Sequence, residues 1–139
     1  MANKVYIEST SQETAQASEA ISADSLASDG NVTTLDRTHD GGSENMIGCS
    51  DVTLLLDVTA EPSTDATAEV WYRISQDGTD WSDWRYSHTV GATIASAAAD
   101  LYDAGLFELV APYCELKIKA IDYGFTCTLY AQGNRPEIQ

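Results

Sequence analysis

The sequence predicts an all-β chain: an antiparallel β-sandwich, of jelly-roll or immunoglobulin-like type, with an extended N-terminal arm. Three observations carry this. Short runs from Ile47 onward alternate apolar and polar residues at period two. Turn residues punctuate them, among them Pro62, Asp77-Gly78 and 122-DYGF-125. No alternation of strand and long helix accompanies them, so a parallel sheet is not indicated.

Residues 1–46 are polar and small, and Tyr6 is the one aromatic among them. They are expected to form an extended arm carrying short strands in 4-KVYIE-8, 19-EAISA-23 and 31-NVTTLD-36, broken at Asp29-Gly30 and 40-DGG-42. A polar arm stays ordered only when a sheet or a neighbouring subunit ties it down.

Residues 47–133 are expected to form the sandwich. In 51-DVTLLLDVTA-60, Val52, Leu54, Leu56 and Val58 share one face. In 68-AEVWYRIS-75, Ala68, Val70, Tyr72 and Ile74 oppose Glu69, Trp71, Arg73 and Ser75. Asp77-Gly78 supplies a hairpin turn, because Gly accepts positive φ freely, and 83-DWRYSHTV-90 returns as a strand. The Ala-rich segment 91-GATIASAAADLYDAG-105 is readable as one or two helical turns or as a long loop. A strand in 106-LFELVAP-112 ends at Pro112. Cys114, Leu116, Ile118 and Ala120 then point inward from one strand, and Cys127, Leu129 and Ala131 from the next. Residues 134–139 are expected to be a tail, frayed or held by a neighbour.

Composition narrows the function. The chain has 139 residues, enough for one unstapled core. Its 22 acids against 7 bases give a net charge of −15. That argues against nucleic-acid partners, which need Lys and Arg at phosphates, and against an anionic membrane surface. No run of 18 apolar residues exists, and the start lacks an apolar run of signal-peptide length, so folding in the cytoplasm is expected. Cys49, Cys114 and Cys127 form no CxxC pair and sit among apolar residues. All three read as reduced and buried.

Chemistry is weighed in the same way. His39 and His88 lie in unlike contexts, and no GxSxG elbow or phosphate-binding loop is present, so no enzyme, catalytic residue or cofactor is expected. Asp77, Asp80 and Asp83 recur every three residues but lack EF-hand spacing. They read as turn and surface residues, and no metal site is assigned. The densest feature is 69-EVWYRISQDGTDWSDWRYSH-88, which holds all three tryptophans. Its rings either cover a sheet face or meet a partner, since Trp, Tyr and Arg dominate interface hot spots. Tyr6, Trp71, Arg73, Trp81, Trp84 and Tyr86 are the candidate partner contacts.

The stretch 69-EVWYRISQDGTDWSDW-84 resembles a hairpin of β-sandwich modules in bacteriophage virion proteins. There a strand ending in Ser leads to an Asp-Gly turn, and a Trp follows three residues after the Gly. The run 104-AGLFELVAPYCELKIKAIDYGFTCTLYAQG-133 is similar to the ending of such modules. Fibronectin-type and discoidin-type modules show similar hairpins. The sialidase Asp-box is not matched, because Ser75-Gln76-Asp77-Gly78-Thr79-Asp80-Trp81 lacks the residue between Asp and Gly. The resemblance implies a non-enzymatic virion protein: a capsid decoration (cement) protein, a fibre base or a tail component. It would sit on the capsid exterior, bind the major capsid protein or another virion protein, and form a homo-oligomer, with a trimer as the expected symmetry. The alternative is a carbohydrate-binding sandwich of a phage tail or fibre, with Trp81 and Trp84 as stacking platforms.

Overall fold

A computed structural model of the chain describes residues 5–38 and 45–138, with side chains described for 12–38 and 45–135. His39 and 40-DGG-42 lie outside the described residues, as does the side chain of Tyr6. Among the described residues eight strands follow one another: β1 (Val5–Ile21), β2 (Leu35–Asp36), β3 (Asp51–Ala60), β4 (Thr67–Ser75), β5 (Arg85–Thr89), β6 (Leu101–Glu108), β7 (Tyr113–Ile121) and β8 (Phe125–Ile138). They form two four-stranded sheets with orders β1-β8-β3-β6 and β2-β7-β4-β5. Every pairing is antiparallel.

These orders contain a simple rule. Strand one pairs with eight, two with seven, three with six and four with five. That is a single long antiparallel ribbon rolled onto itself, the eight-stranded jelly roll. Of the two sandwich types expected from sequence, the strand order selects this one.

The core lies between the sheets. Val52, Leu54, Leu56 and Val58 face Ala68, Val70, Leu116, Ile118 and Ala120, all buried. The period-two faces predicted for β3, β4, β7 and β8 are therefore the observed ones. Tyr72 and Phe107 meet across the sandwich at a ring-centroid distance of 5.2 Å. Each fully buried Leu or Ile contributes about 1.5–3 kcal/mol. Cys49, Cys114 and Cys127 are buried thiols outside any disulfide, and burial pushes the Cys127 thiol up to about 12.

Three segments differ from expectation in detail. The polar N-terminal segment is one 17-residue extended strand lying along β8, with register shifts after Ser9, Thr14 and Gln16. Residues 134–138, expected as a tail, continue β8 opposite β1. The Ala-rich stretch forms no helix. Residues 91–100 cross between the sheets irregularly, and β6 begins at Leu101 rather than at Leu106. Helix propensity loses there because Ile94 is needed in the core, bonded through its backbone to Ala66. Gly105, at φ +84°, lies on β6 where the pairing with β3 shifts, and its local backbone conformation suits Gly alone.

Gly124 in the β7–β8 turn shows how tightly the layers close. A Cβ there would lie 2.5 Å from the Ile21 carbonyl oxygen. Gly124→Ala is expected to cost about 1–3 kcal/mol through forced backbone displacement. Urea unfolding measures it, and a loss below about 0.5 kcal/mol would show that this turn yields freely.

Candidate functional site

The Trp-rich hairpin is built from its turn outward. Ser75 Oγ accepts from the Gly78 N–H at 2.9 Å, and Asp77 Oδ1 accepts from the N–H groups of Thr79 and Asp80, both at 2.9 Å. The Asp80 and Thr79 N–H groups hold the Asp77 carboxyl below its usual range. Gly78 takes φ +79°. The connection is longer than a two-residue turn, because Ser75 first pairs back with Trp81 and β5 starts only at Arg85. Asp77 thus fixes a loop, while Asp80 and Asp83 are exposed. Among the described residues no group of three or more His, Cys, Asp or Glu is placed to hold a metal.

This loop folds back over the outer face of the β2-β7-β4-β5 sheet. Arg73 there is central. Its guanidinium carbon lies 4.9 Å from the ring centres of both Trp81 and Trp84. Its Nε and Nη2 donate to Glu115 Oε1 at 2.8 and 2.7 Å, and Thr34 donates to Glu115 Oε2 at 2.7 Å. Lys117 Nζ sits 4.0 Å from the Trp84 ring and bonds Asp29 Oδ1. Lys119 lies 5.1 Å from the ring centre of Trp71. Trp71 donates to Glu69 at 3.0 Å and meets Tyr86 edge-on at 6.2 Å. Cation–π contacts of this kind contribute about 0.5–2 kcal/mol each, most when desolvated.

The covering is effective. Glu115 and Lys117 point away from the core, as their alternation predicts, yet are only 6% and 3% exposed. The hydrogen bond from Lys117 holds Asp29 below its ordinary value of 3.8, against a smaller opposing effect of burial. The Trp84 indole N–H also favours the charged carboxylate. It falls outside hydrogen-bond geometry, however, so this buried donor is unsatisfied among the described residues.

Asp29 has a testable pH signature. Its folded pKa is depressed, so its stabilising effect is full above 3.8 and disappears as pH falls through the lower folded value. The side chain is 58% exposed, so solvent screening keeps the effect near 1 kcal/mol. Asp29→Asn is expected to lower stability at neutral pH by about that much, and to flatten the acid limb of a urea-midpoint-versus-pH curve. An unchanged acid limb would show that Asp29 does not sense Lys117.

The structure brings four of the six candidate contacts, Trp71, Arg73, Trp81 and Trp84, into this one cluster, where each already has an internal partner. Tyr86 borders it and is 50% exposed. The Tyr6 backbone pairs with Glu137 at the far end of the other sheet, remote from the hairpin in the strand order. Nothing local in the sequence marks Asp29, Lys117 or Glu115 as members of this cluster. Lys117 and Asp29 are 88 residues apart, and only the folded strand order joins them.

The other outer face, that of the β1-β8-β3-β6 sheet, is different in kind. Leu55 and Tyr130 line a shallow groove of about 160 Å³ with Gln12, Thr53 and Gln132. Leu101 and Leu106 on the β6 edge are 54% and 62% exposed. No protein-family model, curated protein or solved structure matches this chain.

Proposed function

We propose that this chain is a non-enzymatic structural protein of a bacteriophage virion, a decoration protein that docks on the capsid lattice and adds buried area across subunit borders. The observation that carries the reading is the state of the Trp-rich hairpin. Jelly rolls occur in viral capsid and lectin domains alike, so the architecture alone does not choose between assembly and sugar binding. The hairpin supports the assembly reading. A sugar platform needs free ring face, and Arg73 lies against both Trp81 and Trp84, with Lys117 also on Trp84, which leaves less of it. This hairpin, which carries the resemblance to virion modules, acts as a clamp over a buried ion-pair network. Such a clamp suits a rigid part of an assembly. A homotrimer on the capsid exterior completes the proposal, consistent with the strong negative charge.

The test is location. Antibody against the recombinant chain, followed by gold labelling, is applied to density-purified phage particles released by cells that encode it. Label on the heads is expected. Label only on tails would move the chain to a tail component, and label confined to the particle-free fraction would overturn the virion reading.

A further inference from the structure

We infer that the outer face of the β1-β8-β3-β6 sheet is the docking surface, and that its partner is a protein surface in which Lys or Arg side chains flank aliphatic ones. The inference deepens the assembly reading and rests on it only for the identity of the partner.

Charge on the two outer faces is distributed unequally. The β2-β7-β4-β5 face carries Arg73, Lys117 and Lys119, matched by Asp29, Glu69 and Glu115. On the opposite face the outward positions of β6 alternate apolar with acid (Leu101, Asp103, Leu106, Glu108), and those of β3 mix Asp51 and Asp57 with Leu55 and two threonines. Asp51 stands opposite Glu108, Leu55 opposite Asp103, and Asp57 opposite Leu101. Among the described residues no Lys or Arg lies on this face. Arg135, the nearest on β8, turns to the Ile47 carbonyl instead.

Two features of this arrangement point outward. Like charges directly opposite across a strand pair are destabilising. Asp51 and Glu108 are such a pair, and among the described residues the Asn134 amide, 2.8 Å from Asp51 Oδ1, is the donor that offsets it. A cation arriving from a partner would relieve that repulsion. Leu55, Tyr130, Leu101 and Leu106 supply apolar area between the carboxylates. The same face of a second copy would bring carboxylates against carboxylates, so charge complementarity selects a cationic, partly aliphatic partner.

The experiment is an NMR titration of the full ¹⁵N-labelled chain with a peptide of alternating Lys and Leu, with Lys/Ser and Glu/Leu peptides as controls. Shifts confined to β3, β6 and the outward positions of β8 are expected from the Lys/Leu peptide. They should weaken at least tenfold at high salt, and at least tenfold in Asp103→Lys or Leu106→Ser, whose spectra report folding independently. Four outcomes would overturn the inference. They are shifts centred on the Trp cluster, equal binding of the Lys/Ser or Glu/Leu peptide, the same shifts from calcium chloride alone, or self-association through this face. No phage particle enters the experiment, so its failure is separate from a failure of the gold-labelling test.

Discussion

Arg73→Ala is expected to destabilise the fold by about 3–5 kcal/mol, because it strands a buried charge. Glu115 is 6% exposed, and without Arg73 the hydrogen bond it keeps among the described residues is that from the Thr34 hydroxyl. Trp81 and Trp84 lose the cation that both stack against, so the loop connecting β4 to β5 loosens as well. Arg73→Lys should recover little, since an ammonium cannot supply both the Nε and Nη2 bonds while covering two rings. Removing both partners, as in Arg73→Met with Glu115→Met, should restore most of the loss, because a buried ion pair is often replaceable by packed apolar groups. Urea unfolding followed by Trp fluorescence reads all three. If Arg73→Ala costs under about 1 kcal/mol, the network behaves as a solvated surface pair and the clamp description fails.

Gln16 is the second position with a large expected effect. It is fully buried between the sheets, where its Oε1 accepts from the Ile118 N–H at 2.9 Å and its Nε2 donates to the Cys127 carbonyl at 3.3 Å. One side chain thus satisfies backbone groups of β7 and β8, which belong to different sheets. Gln16→Leu keeps the volume but deprives the buried Ile118 N–H of this acceptor and the Cys127 carbonyl of one donor, at about 2–4 kcal/mol for the two together. Gln16→Ala adds a cavity and should cost more. Hydrogen exchange provides the specific readout: the Ile118 amide should lose protection beyond the drop in global stability. Equal loss at Ile118 and at neighbouring core amides would mean that Gln16 acts through packing alone.

These two residues also show what the sequence made legible. The strands around Arg73 are readable because β3, β4, β7 and β8 keep their inward positions apolar, so the alternation in residue type survives even where, as at Glu115 and Lys117, the outer face is covered as well. The role of Gln16 is not. The inward set of β1 includes Ala15, Gln16 and Ile21, and the register shifts around Gln16 break the period of two. A buried amide in a Ser- and Gln-rich stretch looks the same as a solvated one. The start of β6 was hidden by similar means, since Gly105 interrupts the alternation where the pairing with β3 shifts. For the aromatic cluster, composition showed that rings and cations lie close together. It did not show that Asp29 and Glu115 complete the network, because those contacts depend on which strands become neighbours. Strand order itself, and hence the jelly roll, is set by long-range pairings that leave no local mark.

The pairing of β1 with β8 bears on how the chain is made. Gln16 and its partner Cys127 are separated by 111 residues. At about 5–20 residues per second, roughly 5–20 s of synthesis pass between them on a ribosome. Throughout that interval β1 is a long strand without its neighbour, the kind of segment that recruits other chains and aggregates. Its composition suits that wait. Ser, Thr, Gln and Glu dominate 8-ESTSQETAQASEA-20, with no apolar run to nucleate a wrong sheet. The polarity that makes this segment resemble an unstructured arm therefore protects an unpaired strand until its partner is translated.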